Sequence, residues 1–208
     1  MKIKREVLKL YAVTDRRWLK ENETLCDVVE ELLQAGVSCV QLREKKADDK
    51  FFLQEARELN EICSRYGIPL IINDRPDIAK KAGAAGVHVG QSDMAVEAAR
   101  ELLGEDFIIG TSAHNVEEAR KAEAAGADYI GCGAVFGSKT KSNATLLSVE
   151  ELKKICESVD IPVAAIGGIT EENIMQLVGT KIAGVAVVSG LFASEDKMRA
   201  ARQFLRDI

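Results

Sequence analysis

Residues 39–46 read Cys-Val-Gln-Leu-Arg-Glu-Lys-Lys, an apolar start that runs into an amide and then cations. In a strand, side chains two positions apart share a face, so Gln41, Arg43 and Lys45 point the same way. A strand face that turns from apolar to cationic within a few residues has the chemistry of an anion site. A sheet edge guarded by solvated lysine would read the same in isolation. The anion reading gains weight because other strand ends also carry polar groups: Asp15, Asn73 with Asp74, Gln91 with Asp93, and Ser112 with His114. Further along come the 136–141 loop, then Gly167-Gly168 and Ser189-Gly190.

Each group admits a specific chemistry and a plainer alternative. Asp74 and Asp93 follow the third and fourth strands, and two carboxylates from neighbouring strand ends near Arg43 and Lys45 suit Mg2+ held jointly with a pyrophosphate. Asp93 could instead N-cap the following helix, and Asp74 could form an ordinary Asx turn. Glycine pairs after the last two strands allow backbone N–H groups to approach a phosphate, or serve only as tight turns. The 133–144 segment is rich in small residues, hydroxyls and ammonium groups. That suits a lid closing on phosphates, or a solvated loop. His88 lies in an apolar strand and reads as a core residue, whereas His114 reads equally as a mouth or a helix-cap residue. Trp18 reads as packing.

The elements that must position these groups alternate from end to end. Strand patterns occur at 8–13, 38–42, 69–72, 86–89, 107–109, 127–132, 162–166 and 182–188. Helical patterns lie between them, among them 25–35, 49–66, 96–103, 116–125, 149–157, 171–177 and about 195–208. Many of the strands are Val- and Ile-rich without polar alternation, as when both faces of a parallel sheet are covered. Eight strand–helix units most economically make a compact, single-domain (β/α)8 barrel spanning residues 1–208. A doubly wound open sheet is the alternative, but no GxGxxG follows the first strand. In the barrel, residues at the carboxyl ends of different strands converge on one mouth.

Bulk properties narrow the function further. A formal net charge of −5 argues against a general nucleic-acid or anionic-membrane binder. No apolar run reaches the ~20 residues of a membrane helix, and no apolar segment follows the charged first residues, so neither a span nor a secretory signal is expected. Five scattered cysteines without a CxxC read as reduced thiols of a cytoplasmic protein, and two histidines are too few for a multi-histidine zinc site.

With these residues placed, the chain resembles the thiamine phosphate synthase family. The resemblance runs through Tyr11-Ala12-Val13-Thr14-Asp15, the 40–45 segment, Ile72-Asn73-Asp74-Arg75 and the 86–93 segment. It continues through 133–136 with Thr140-Lys141, then 165–169 and 185–189. It implies a (β/α)8 enzyme, a transferase, that joins a hydroxymethylpyrimidine pyrophosphate to a thiazole phosphate and releases pyrophosphate. Gln41, Leu42, Arg43, Glu44, Lys45, Asn73, Ser112 and Lys141 would form the pyrimidine pyrophosphate site. Asp74 and Asp93 would be the Mg2+ ligands. Ser138, Lys139, Thr140, Gly168, Val188 and Ser189 would form the thiazole phosphate site. Arg43, Lys45, Ser112 and Lys141 would be the catalytic set. The family more often has Thr at position 138 and Pro at position 137. Ser138 keeps the hydroxyl, while Gly137 makes loop closure costlier in entropy.

The partners so implied are two small phosphorylated molecules, with no nucleic acid and no membrane; a homo-oligomer is compatible. A thiazole tautomerase would share the phosphate site of the last two strands but has no pyrophosphate to neutralise. A degenerate ligand-binding or regulatory barrel would be expected to have lost the carboxylates or the cations, and this chain keeps both.

Overall fold

The computed structural model describes residues 3–91, 93–137 and 146–208. β1 (Leu10–Val13) leads to α1 (Leu25–Gln34), β2 (Cys39–Leu42) to α2 (Asp49–Arg65), and β3 (Leu70–Asn73) to α3 (Pro76–Ala82). β4 (Gly86–Val89) leads to α4 (Val96–Leu103), β5 (Ile108–Ala113) to α5 (Val116–Ala124), and β6 (Tyr129–Cys132) to α6 (Val149–Ser158). β7 (Val163–Ile166) is followed by a 3-10 turn at Ile174–Leu177, and β8 (Gly184–Val187) by the one-turn α7 (Ser189–Phe192) and then α8 (Lys197–Asp207). The eight strands are parallel and pair in sequence order, with β8 closing onto β1. This is the (β/α)8 barrel that the strand–helix alternation predicts.

Strand parity creates two cores. Leu10 and Ala12, Val40 and Leu42, Leu70 and Ile72, and Val185 and Val187 face outward against the helices. Tyr11, Val13, Cys39, Ile71, Tyr129, Ala164 and Ala186 belong to a separate cluster, which fills the barrel. The helices meet the outer core through apolar positions at helical spacing. In α1 these are Leu25, Val28, Val29, Leu32 and Leu33. Thr24 and Asp27 form a capping box that fixes where this helix begins.

The structure departs from the predicted boundaries in four places, each for a local reason. The first strand begins at Leu10 rather than at residue 8, because Leu8 ends a 3-10 helix, Arg5–Leu8, with Leu8 fully buried and the Arg5 guanidinium donating to the carbonyls of Lys181 and Ile182. β5 runs on to Ala113, because Gly110 and Thr111 pair with both β4 and β6 and Ser112 and Ala113 continue the pairing with β6, although the small and polar side chains hide the apolar pattern. α3 carries start and stop signals, Pro76 and Gly83, around a segment too short to show a clear period. The 171–177 helix shrinks to Ile174–Leu177, because Asn173 turns its side chain back to the Thr170 N–H and the Gly168 carbonyl. Such local side-chain bonds compete with the helix.

Candidate active site

The inward face of the barrel and the loops at its carboxyl end enclose a cavity of about 580 Å³. That volume suits one or two small ligands. Gln41, Arg43 and Lys45 all line it, as the alternation on β2 requires. The Arg43 N–H donates to Thr14 Oγ1 at 2.9 Å, which anchors the point where β2 ends. The intervening side chains leave the cavity: Leu42 is buried in the outer core, and Glu44 accepts from Arg16 Nε at 3.0 Å. Arg16 also pairs with Glu55, whose carboxyl burial pushes above its usual range against the pull of Arg16. Of the five residues at 41–45, three therefore turn their side chains to the cavity, while Leu42 and Glu44 hold the strand end in place.

β3 and β4 bring the two carboxylates to the same mouth. Asp74 sits in the left-handed region at φ 62°, a conformation Asp tolerates, with its N–H donating to the His88 carbonyl at 2.8 Å. Its carboxylate is ion-paired with the Lys45 ammonium. Asp93 Oδ2 accepts from the Gly90 N–H at 2.7 Å. It does not cap α4, whose N-cap position is Ala95 without a side-chain bond. Both carboxylates line the cavity. Among the described residues no three His, Cys, Asp or Glu side chains gather into a metal cluster. Two hard carboxylate donors facing open space fit Mg2+, which completes its shell with phosphate oxygens and water.

The floor is polar and connected. Gln41 Nε2 donates to Tyr11 Oη at 2.7 Å, and Tyr11 Oη meets Tyr129 Oη at 2.8 Å. Tyr129 Oη meets His88 Nδ1 at 3.0 Å, and His88 Nε2 meets Ser112 Oγ at 3.0 Å. Burial, reinforced by their neighbours, pushes both phenols well above their usual range, so each keeps its hydrogen. Asn73 is 9% exposed and lines the cavity; its Nδ2 finds no acceptor among the described residues. A buried donor left in this way is costly unless a ligand satisfies it.

On the other side of the mouth lie Gly168, at the end of β7, and Val188 and Ser189, where β8 passes into α7. The Phe136 N–H donates to the Gly167 carbonyl at 2.9 Å, tying the loop after β6 to the loop after β7. His114 also lines the cavity, and its Nδ1 lies 2.9 Å from Glu118 on α5; the cap of that helix is Asn115 and not His114. Trp18 packs against the outer core. Ser138, Lys139, Thr140 and Lys141 lie outside the described residues.

Burial raises all five thiols above their usual range. All five cysteines are unpaired with one another, and burial pushes Cys26 and Cys156 up to about 11 and Cys63 up to about 12. No helix among the described residues is long and apolar enough to cross a membrane.

Residues 10–191 match the family model described as thiamine monophosphate synthase. The chain belongs to that family. A thiamine-phosphate synthase of Clostridium acetobutylicum is 50% identical over 194 residues, covering 93% of this chain and 92% of the relative. One from Methanobrevibacter smithii is 48% identical over 200 residues, covering 96% and 95%. A solved structure of a thiamine phosphate pyrophosphorylase from Pyrococcus furiosus superposes with a TM-score of 0.90 at 36% identity, covering 98% of this chain and 96% of that one. Beyond the residues anticipated for this family, the cavity holds Tyr11, Tyr129 and His88. Their inward strand parity was readable; their contacts with one another across the barrel were not.

Proposed function

We propose that the gathering of Arg43, Lys45, Asp74 and Asp93 on one side of the cavity, facing Gly168, Val188 and Ser189 on the other, equips this member of the family for its transferase reaction. The chain condenses 4-amino-2-methyl-5-hydroxymethylpyrimidine pyrophosphate with thiazole phosphate, forming thiamine phosphate and pyrophosphate. Support for the assignment of roles comes from the lining of the cavity, where cations and carboxylates meet a glycine turn and a helix start.

In this reading Arg43 and Lys45 hold the pyrophosphate, and Gln41, Asn73 and Ser112 hold the pyrimidine ring. Gly168, Val188 and Ser189, with Ser138, Lys139 and Thr140, hold the thiazole phosphate. The bond from the pyrimidine methylene carbon to oxygen breaks, and its electron pair leaves with the pyrophosphate. The thiazole nitrogen lone pair then forms the new carbon–nitrogen bond. No proton is removed from carbon, so no general base is required. What the side chains must do is stabilise departing negative charge, through Arg43, Lys45 and Lys141, and keep the two rings in line. Asp74 and Asp93 would hold Mg2+, which neutralises charge on the pyrophosphate when bound.

The test is direct. Purified protein, both phosphorylated substrates and Mg2+ are combined, and thiamine phosphate is followed by fluorescence after oxidation. Product should require both substrates, with pyrophosphate released in equal amount. Signal that depends on neither would refute the reading.

A further inference from the structure

Five side chains from five strands meet end to end in the barrel: Gln41 on β2, Tyr11 on β1, Tyr129 on β6, His88 on β4 and Ser112 on β5. Their hydrogens can be assigned in order. The Gln41 amide donates to the Tyr11 oxygen, so the single Tyr11 hydrogen goes to Tyr129. The Tyr129 hydrogen is then left for His88 Nδ1, which must accept. The imidazole proton falls on Nε2 and is donated to Ser112 Oγ. The hydroxyl hydrogen of Ser112 is thereby left over, at a residue that lines the cavity.

We infer that Gln41, Tyr11, Tyr129, His88 and Ser112 form a one-directional hydrogen-bond relay that makes Ser112 a donor to the pyrimidine ring, with Tyr11 and Tyr129 as its positioning residues. The inference rests on the reading that Ser112 and Gln41 meet that ring. The barrel is shaped for the relay at two glycines. A Cβ on Gly110 would stand 2.0 Å from the Tyr129 ring, and one on Gly131 would stand 3.1 Å from the His88 ring. Both rings cross the barrel where Gly110 on β5 and Gly131 on β6 give up a side chain. Each phenol is also fully enclosed, so a hydroxyl without its partner could not turn to water instead. The relay thus carries the orientation of the Gln41 amide across the barrel to Ser112, and the ring is met at both ends by groups whose donor and acceptor roles are fixed together.

The polarity can be read without substrate. In protein labelled with 15N at its two histidines, two-bond 1H–15N spectra report which imidazole nitrogen carries the proton. His88 should be the Nε2–H tautomer, and Tyr129→Phe should change its 15N shifts. A proton on Nδ1, or one shared between both nitrogens, would overturn the relay. Binding supplies the second readout, by titration calorimetry with the pyrimidine pyrophosphate and with inorganic pyrophosphate. Tyr129→Phe and Tyr11→Phe keep ring volume and should weaken the first ligand about ten-fold, as expected for one lost hydrogen bond with its unpaired partner, while leaving inorganic pyrophosphate unchanged. Equal affinity of folded variant and wild type for the pyrimidine compound would also overturn the inference. If wild-type protein binds the pyrimidine compound no better than inorganic pyrophosphate, the ring placement fails instead, and the tautomer still decides whether the relay exists.

Discussion

The Lys45 ammonium at the end of β2 is ion-paired with the Asp74 carboxylate at the end of β3. A cation proposed for pyrophosphate and a carboxylate proposed for Mg2+ thus neutralise each other at the mouth. The pair is well hydrated, with the Lys45 side chain 52% exposed. Its contribution to folding should be within about 1 kcal/mol, as for surface ion pairs generally.

The first prediction separates stability from chemistry at this pair. Lys45→Met and Asp74→Asn should each leave the urea midpoint nearly unchanged and lower kcat by about 10²-fold or more, the scale of losing one electrostatic group near developing charge. Asn tolerates the left-handed backbone that Asp74 adopts, so the second change adds no strain. A double-mutant cycle on kcat/KM measures the coupling. Wild-type turnover in either variant would remove that residue from the reaction.

Asp93 makes a second prediction that the geometry has sharpened. Because Ala95, and not Asp93, occupies the N-cap of α4, helix capping no longer competes as an explanation. Asp93→Asn retains an oxygen to accept from the Gly90 N–H and loses only the charge. We expect kcat at limiting Mg2+ to fall about 10²–10³-fold. Excess Mg2+ should recover part of the loss, and thiazole phosphate binding should be unaffected. Full activity at limiting Mg2+ would take Asp93 out of the metal site.

How far the sequence carried the site follows from strand geometry. Gln41, Arg43 and Lys45 were legible because alternation on one strand is a local property, and Leu42 and Glu44 turn outward by the same rule. Ser112 could be named but not located within a strand, because Gly110 and Thr111 interrupt the apolar pattern of β5. Tyr11 and Tyr129 are 118 residues apart, and their contact exists only once β8 closes onto β1. The role of His88 was hidden for the same reason. An inward position on β4 follows from parity, but the Ser112 and Tyr129 hydroxyls that it meets come from β5 and β6.

A third prediction concerns acid. Burial would raise the Asp15 carboxyl, but hydrogen bonds from Arg17, with Nη2 at 2.5 Å, outweigh it and hold the group below its usual 3.8. A carboxyl lowered in the folded state stabilises fully above its unfolded value, and that contribution is lost as pH falls through the folded one. Because Arg17 is more than half exposed, the effect should be about 1 kcal/mol or less. Arg17→Leu removes the guanidinium that opposes burial, leaving only the backbone N–H of residue 17 and the charge of Arg43 to lower the group. The variant should be less stable than wild type near neutrality, and the difference should shrink below about pH 3.8, where the wild-type contribution is also disappearing. Urea midpoints across the acid range, with an NMR titration of Asp15, check this. A difference between the two proteins that does not change with pH would show that Arg17 acts through packing.

The last prediction tests the thiazole phosphate site at Gly168. This residue is left-handed at φ +63°, and a Cβ there would stand 2.4 Å from the Phe136 carbonyl oxygen and 2.9 Å from that of Gly137. Gly168→Ala therefore imposes backbone strain and pushes the loop after β6 away from the loop after β7. Gly179 provides the control, since it is also left-handed at φ +86° but nothing lies within 4 Å of its Cβ position. It does not line the cavity. Both Ala variants should lose about 1–2 kcal/mol to the left-handed backbone, with Tm falling by a few degrees. Only Gly168→Ala should raise the KM for thiazole phosphate, by about ten-fold if one backbone contact to the anion is lost. The KM for the pyrimidine pyrophosphate, whose proposed groups apart from Lys141 lie on β2 to β5, should change less than that for thiazole phosphate. If Gly168→Ala folds cooperatively and keeps the KM of Gly179→Ala, the phosphate does not bind against Gly168, and the roles proposed for Val188 and Ser189 lose their shared support.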